Sequence, residues 1–132
     1  MLTIIDEFSR KVWAFFLKQK SDVLSTFKEW KIMIEMQTRR PVKRLWRDNG
    51  LEFCSDEFDA LCRSEGIVRH KTVRKNPQQN GVAERMNRTL MEKVHCMRLN
   101  AGLPKSFWAL TAAYAYYLVN RSPSTAIEKR TP

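Results

Sequence analysis

Cysteine is scarce and poorly spaced for a framework. Cys54, Cys62 and Cys96 are an odd count with no C-x-x-C pair, which excludes a disulfide scaffold and a zinc finger and leaves reduced intracellular thiols. The only histidines, His70 and His95, lie 25 positions apart and add no metal-binding pattern. No apolar run approaches the ~20 residues that span a bilayer. The N-terminus lacks the basic, apolar and cleavage regions of a signal peptide, and no compact Lys/Arg cluster marks nuclear import. A soluble protein without membrane partner or visible targeting signal is expected. Acid is also in deficit: 14 Asp+Glu against 24 Lys+Arg give a net charge of +10, which predicts an anionic partner, nucleic acid ahead of an acidic membrane surface. At 132 residues and 43% hydrophobic content the chain suits one domain with one core.

Leu2 to Ile5 is strand-like, "DEFSRK" makes a turn, and "VWAFFLK" supplies a second strand, together a hairpin. Ser21 is the expected N-cap of a helix ending near Gln37, in which Val23, Phe27, Trp30 and Ile34 form one apolar stripe. "PVKRLW" reads as a short strand ending at "RDNG". Ser55 caps a short helix with Phe58, Leu61 and Cys62 inward and Gly66 past its end, and "IVRHKTV" offers another strand. Arg74 to Asn80 is polar and basic, so a mobile loop is expected, followed by a long helix from Asn80 or Gly81 to about Ala101 and closed by Gly102. Pro104 opens a last helix. That helix is apolar on nearly every side from Phe107 to Val119, which predicts cover by the domain or a partner chain. Trp108, Tyr114, Tyr116 and Tyr117 are assigned to packing. Strands and helices in this order define an α/β fold, a mixed sheet flanked by helices.

Two acids stand out. At 100° per residue, Ala83, Met86, Leu90, Val94 and Met97 share one side of the long helix, and Glu84 points roughly 140° from their centre. On the residues alone, Glu84 is either a ligand-binding acid or a first-turn Glu stabilised by the helix dipole and an i,i+4 pair with Arg88. Asp48 ends a predicted strand, the edge where α/β sheets place ligands, or is simply the turn former of "DNG".

"IIDEFSRKVWAFFLK", "RLWRDNGLEF", "NPQQNGVAERMNRTL" and "LPKSFWALTAAYAYYLVNRSPS", in that order and with 35 residues between the acids, resemble the integrase catalytic core of copia-type retrotransposons across essentially all of residues 1–132. The resemblance implies a ribonuclease-H-like fold and a polynucleotidyl transferase whose two Asp and one Glu hold two Mg²⁺ or Mn²⁺ ions. It implies DNA 3′-processing and strand transfer, transposon-end and target DNA as partners, association with other integrase chains, and work in the nucleus. Asp48 corresponds to the second Asp and Glu84 to the Glu. Two cations stabilise the attacking and leaving oxygens of a phosphodiester once carboxylates offset their mutual repulsion, and hard oxygen ligands select such ions. Lys71, Arg74, Lys75, Arg85 and Arg88 are assigned to DNA phosphates, with a solvated charge as the alternative for each.

The family's first Asp belongs to a strand ahead of the one that "LTIID" resembles, so this sequence is expected to be a partial core whose first strand and first Asp are missing. Asp6 is not its substitute, because it falls in the hairpin turn with Ser9 and Arg10. The expectation is a fragment with much of the fold and the DNA-facing charge but little strand-transfer activity by itself. The alternative is a non-catalytic, transposon-derived module that binds nucleic acid or other integrase chains.

Overall fold

The computed structural model describes residues 1–47, 55–71 and 77–132, without the side chains of residues 71 and 77–80. They form two compact units, one of residues 1–16 and 81–132 and the other of residues 17–80.

In the first unit, β1 (Leu2–Ile5) and β2 (Val12–Phe15) pair antiparallel with Leu2 opposite Phe15 and Ile5 opposite Val12. The turn between them is held by Asp6. Its Oδ2 accepts from the Ser9 N–H at 2.8 Å, its carbonyl accepts from the Arg10 N–H, and its own N–H donates to the Lys11 carbonyl. This local bonding offsets the cost of Arg10 at φ +62°, a left-handed conformation that a side chain with a Cβ seldom takes. The expected role of Asp6 in the turn is therefore observed.

The long helix, α3, runs Pro77–Asn100 and belongs to this unit from Gly81 onward. It starts earlier than expected. Residues 77–80 are helical rather than loop, since Pro77 occupies the first helical position, where its absent N–H costs nothing. The rest of the predicted loop, including Arg74 and Lys75, lies outside the described residues. Gly102 (φ +62°) ends the helix: its N–H donates to the Leu99 carbonyl and the Leu103 N–H to that of Arg98, the paired bonds of a Schellman cap.

Pro104 then precedes a single 3₁₀ turn, Lys105–Phe107, and α4 follows at Trp108–Val119. Val12, Leu90, Val94, Ala112, Ala115 and Tyr116 form the core, flanked by Ile5, Ala14, Met86, Met97, Trp108 and Val119. Ala83, expected inward, is exposed, because packing is centred on Leu90 and Val94 further along the helix. α4 is buried only along Thr111, Ala112, Ala115 and Tyr116. Tyr114 and Tyr117, assigned to packing, are exposed with Leu110 and Leu118 and stack on each other at 6.0 Å.

One long-range contact seals the strand edge. Asn120, just past α4, turns its side-chain amide against β2, accepting from the Val12 N–H at 2.9 Å and donating to the Val12 carbonyl at 2.7 Å. Val12 faces Ile5 in the ladder without sharing bonds with it, so these two groups point to the open side of the strand.

In the second unit, α1 (Val23–Thr38) follows a 3₁₀ turn at Lys20–Asp22. Its N-cap is Asp22 rather than Ser21, whose hydroxyl bonds Gln19 inside that turn. Val23, Phe27 and Trp30 are buried as the stripe requires, and Phe27 meets Phe58 at 5.2 Å between ring centres. Lys31 is buried as well, 6% exposed. Its ammonium donates to Glu35 at 2.8 Å and to Glu65 at 2.9 Å, and Glu35 also accepts from the Val42 N–H at 2.7 Å. The pairing tolerates the burial because each charge keeps hydrogen-bonded partners.

β3 (Arg44–Arg47) and β4 (Val68–Lys71) run parallel, Arg44 opposite Val68 and Arg47 opposite Lys71. Parallel strands need a crossover, and it is α2 (Asp56–Ser64). Ser55 caps α2 by accepting from the Phe58 N–H at 3.2 Å, and Gly66 closes it at φ +67°. Pro41 to Lys43 stays outside β3. The proline has no N–H for a ladder, while the Val42 N–H is taken by Glu35. Among the described residues the strands thus form one antiparallel and one parallel pair, flanked by helices.

Candidate active site

The apolar residues of α3 decide where Glu84 can point. Leu90 and Val94 are buried, Met86 and Met97 lean on the same core, and Glu84, with Arg85 and Arg88, is left exposed.

Two local partners considered for Glu84, the helix dipole and Arg88, are not engaged by it. With α3 starting at Pro77, Glu84 is its eighth residue and no acid lies in the first turn, beyond the stretch over which the helix dipole acts. Arg88 does not pair with it, because the guanidinium Nε donates to Glu92 at 3.2 Å instead. Arg85 folds toward the helix start, where its Nη2 would lie 3.5 Å from a Cβ built on Gly81. Among the described residues, no hydrogen bond or ion pair engages the Glu84 carboxylate.

Asp48 follows the last residue of β3 in sequence and lies outside the described residues, as do Arg74 and Lys75. Lys71 ends β4 opposite Arg47, at the C-terminal edge of the parallel pair, where α/β proteins gather ligand groups. Arg47 itself is turned inward and buried, near the Cys62 thiol. Burial pushes that thiol up, outweighing the guanidinium's opposite pull, so Cys62 is a packing residue rather than a nucleophile. One strand register away, Trp46 and His70 stack at 4.3 Å.

Of the predicted site residues, the structure thus gathers Glu84, Arg85 and Arg88 on one exposed stretch of α3. Glu84 fits a hard divalent ion in donor type, but it is one ligand, and no group of three metal-capable side chains occurs among the described residues. Asp6 does not add to it, being committed to the hairpin turn. A cleft further along α3, lined by Met91, Val94, His95, Arg98, Lys105 and Trp108, was not foreseen. Its signal was the i, i+3, i+4, i+7 spacing of the first four, on a flank between the core stripe and the face of Glu84.

The chain belongs to the integrase core domain family, which matches residues 1–77. A retrovirus-related Pol polyprotein from transposon TNT 1-94 of Nicotiana tabacum is 49% identical over 131 residues, 99% of this chain and 10% of the polyprotein, so the chain spans about a tenth of that relative. The simian T-cell lymphotropic virus intasome, solved with the PP2A regulatory subunit B56 gamma, matches 89% of the chain and 41% of its own at TM-score 0.66 and 26% identity. The HTLV-2 integrase catalytic core domain, solved with magnesium in a trimeric form, matches 88% of this chain and 70% of its own at TM-score 0.60 and 22% identity, a likeness of fold. The expected ribonuclease-H-like integrase core of a retrotransposon polyprotein is borne out, and DNA integration is the function of its family. No helix among the described residues is long and apolar enough to cross a membrane.

Proposed function

We propose that the chain is the catalytic portion of a copia-type retrotransposon integrase, with Asp48 and Glu84 holding Mg²⁺ or Mn²⁺ at a DNA phosphodiester. The observation that carries this is the Glu84 carboxylate, exposed on α3 with Arg88 paired to Glu92 and the Arg85 guanidinium lying beside Gly81 instead. Bound divalent cations supply charge neutralisation at the attacking and leaving oxygens. Asp48 and Glu84 contribute the anionic oxygens that keep the cations close. Lys71, Arg74, Lys75, Arg85 and Arg88 hold the flanking phosphates, which makes binding fall with salt. The partners are transposon-end and target DNA, and the place of work is the nucleus. The apolar face of α4, with Leu110, Tyr114, Tyr117 and Leu118, meets other integrase chains.

Titration with Mn²⁺ tests the metal site. Glu84→Gln and Asp48→Asn each weaken binding at least about tenfold, since even changes behind a ligand cost that much. Unchanged affinity in both variants refutes the assignment. The exposed α4 face favours a second reading, a non-catalytic module that assembles with integrase chains. DNA binding that is salt-sensitive, metal-independent and unaltered by Glu84→Gln is its signature.

A further inference from the structure

An open cleft lies along α3. Its volume is about 360 Å³ and its walls are Met91, Val94, His95, Arg98, Lys105 and Trp108. Val94 is the buried floor. The Gly102 turn brings Lys105 and Trp108 back beside α3.

Two groups are held in place before anything binds. Arg98 donates from Nη1 to the Leu103 carbonyl at 3.2 Å, and the Trp108 indole is fixed edge-on against Phe16 at 5.9 Å and 88°. No acid lines the cleft among the described residues, and Glu92 on the same helix is engaged by Arg88. The result is an apolar slot of indole, thioether and isopropyl groups, rimmed by two fixed-charge cations and an imidazole.

From these features we infer that the cleft is a subsite for an unpaired nucleotide of a single-stranded DNA segment, its base against Met91, Val94 and Trp108 and its phosphate at Arg98 and Lys105, with His95 at the mouth. The inference rests on the chain being a DNA-binding core. Stacking platforms beside a basic track are how single strands are held without sequence preference, and the volume lies at the small end of ligand pockets. In a duplex the base faces are already stacked, so the slot selects unpaired strands. His95 lies eleven residues from Glu84 along α3, about 16 Å, so a strand with a phosphate near Glu84 reaches the cleft within a few nucleotides. An acidic peptide satisfies the rim as well, but the flat indole and the excess of cations along the same helix favour a base with its phosphate.

The test compares a fluorescein-labelled oligothymidine with an abasic strand of equal length, which has the phosphates and no bases. The full chain prefers oligothymidine about tenfold, the scale of one stacked base. Met91→Ser, at an exposed position, removes most of that preference, and Trp108→Phe, which keeps a ring in the core, abolishes oligothymidine-dependent quenching of indole fluorescence. Equal affinity for the two strands in the wild type overturns the proposal, as does displacement of oligothymidine by an oligoglutamate peptide more readily than by unlabelled oligothymidine. The metal-site reading is tested apart from this one, because Mn²⁺ affinity does not depend on Met91. Loss of base preference with Mn²⁺ binding intact fails the cleft alone, and intact base preference with Mn²⁺ affinity indifferent to Glu84→Gln fails the metal site alone.

Discussion

Removing the Asn120 amide should unfasten β2 from the end of α4. Asn120→Ala leaves the Val12 N–H and carbonyl without their bonds of 2.9 and 2.7 Å, and Val12 is 2% exposed and part of the core. An orphaned buried polar group costs about 1–3 kcal/mol. Asn120 is half-buried, so water recovers part of the loss, and the two groups together cost about 2–3 kcal/mol. Against a stability of about 5–15 kcal/mol, that lowers Tm by roughly 10 °C. Asn120→Asp separates the two bonds. The new carboxylate still accepts from the Val12 N–H but faces the Val12 carbonyl with like charge, whereas its protonated form can donate. Folding therefore raises the pKa of the introduced carboxyl, and the stability this contributes is present below the ordinary carboxyl pKa and lost as pH rises through the folded value. Circular-dichroism melts at pH 4 and pH 7, with hydrogen exchange at the Val12 amide, measure both effects. An alanine variant that melts within about 1 °C of wild type with a protected Val12 amide refutes the clamp. The variant should also aggregate sooner, since an uncovered strand edge invites pairing.

The Lys31 cluster predicts a stability plateau in pH. The hydrogen bond from Lys31 and that from the Val42 N–H hold Glu35 below the usual carboxylate range, so its contribution is full above the ordinary glutamate pKa and is lost as pH falls through the lower folded value. Hydrogen bonds to Glu35 and Glu65 raise Lys31, so its contribution is full below the ordinary lysine pKa and is lost as pH rises through the higher folded value. Glu35→Gln should cost about 1–3 kcal/mol at neutral pH and flatten the acid limb of urea midpoints; an unaltered limb removes Glu35 from the account. Asp6→Ala should cost about 0.5–2 kcal/mol, the range for losing a side-chain cap on backbone N–H groups, with Mn²⁺ affinity unchanged, and a lost metal site would refute its assignment to the turn alone. In the folded chain Cys96, exposed, should alkylate well before Cys62, which is buried with its thiol pushed up; equal rates by peptide mass spectrometry would contradict that burial.

What the sequence made legible is what neighbours along the chain decide. The Asp6 turn, the Ser55 cap, the glycines at 66 and 102 and the inward stripe of α3 from Met86 onward are all set within a few residues of themselves, and each is found in the structure. The start of α3 was misplaced for a related reason: Asn80-Gly81 is a strong breaker signal, but Pro77 at the first helical position outweighs it once the helix is continued by the packing of Leu90 and Val94. Long-range partners left no local trace. Asn120 meets Val12 across 108 positions, and Lys31 looks like any solvated lysine until Glu65, 34 positions on, makes its burial tolerable. The same division governs the site. Orientation of Glu84 is a property of one helix and could be read directly, whereas the choice of Arg88 between Glu84 and Glu92, both four residues away, could not. Both pairings are allowed at i,i±4 and differ by a few tenths of a kcal/mol. Arg88 takes Glu92, the orientation that the isolated-helix rule favours less, and the Glu84 carboxylate is left without an ion pair among the described residues.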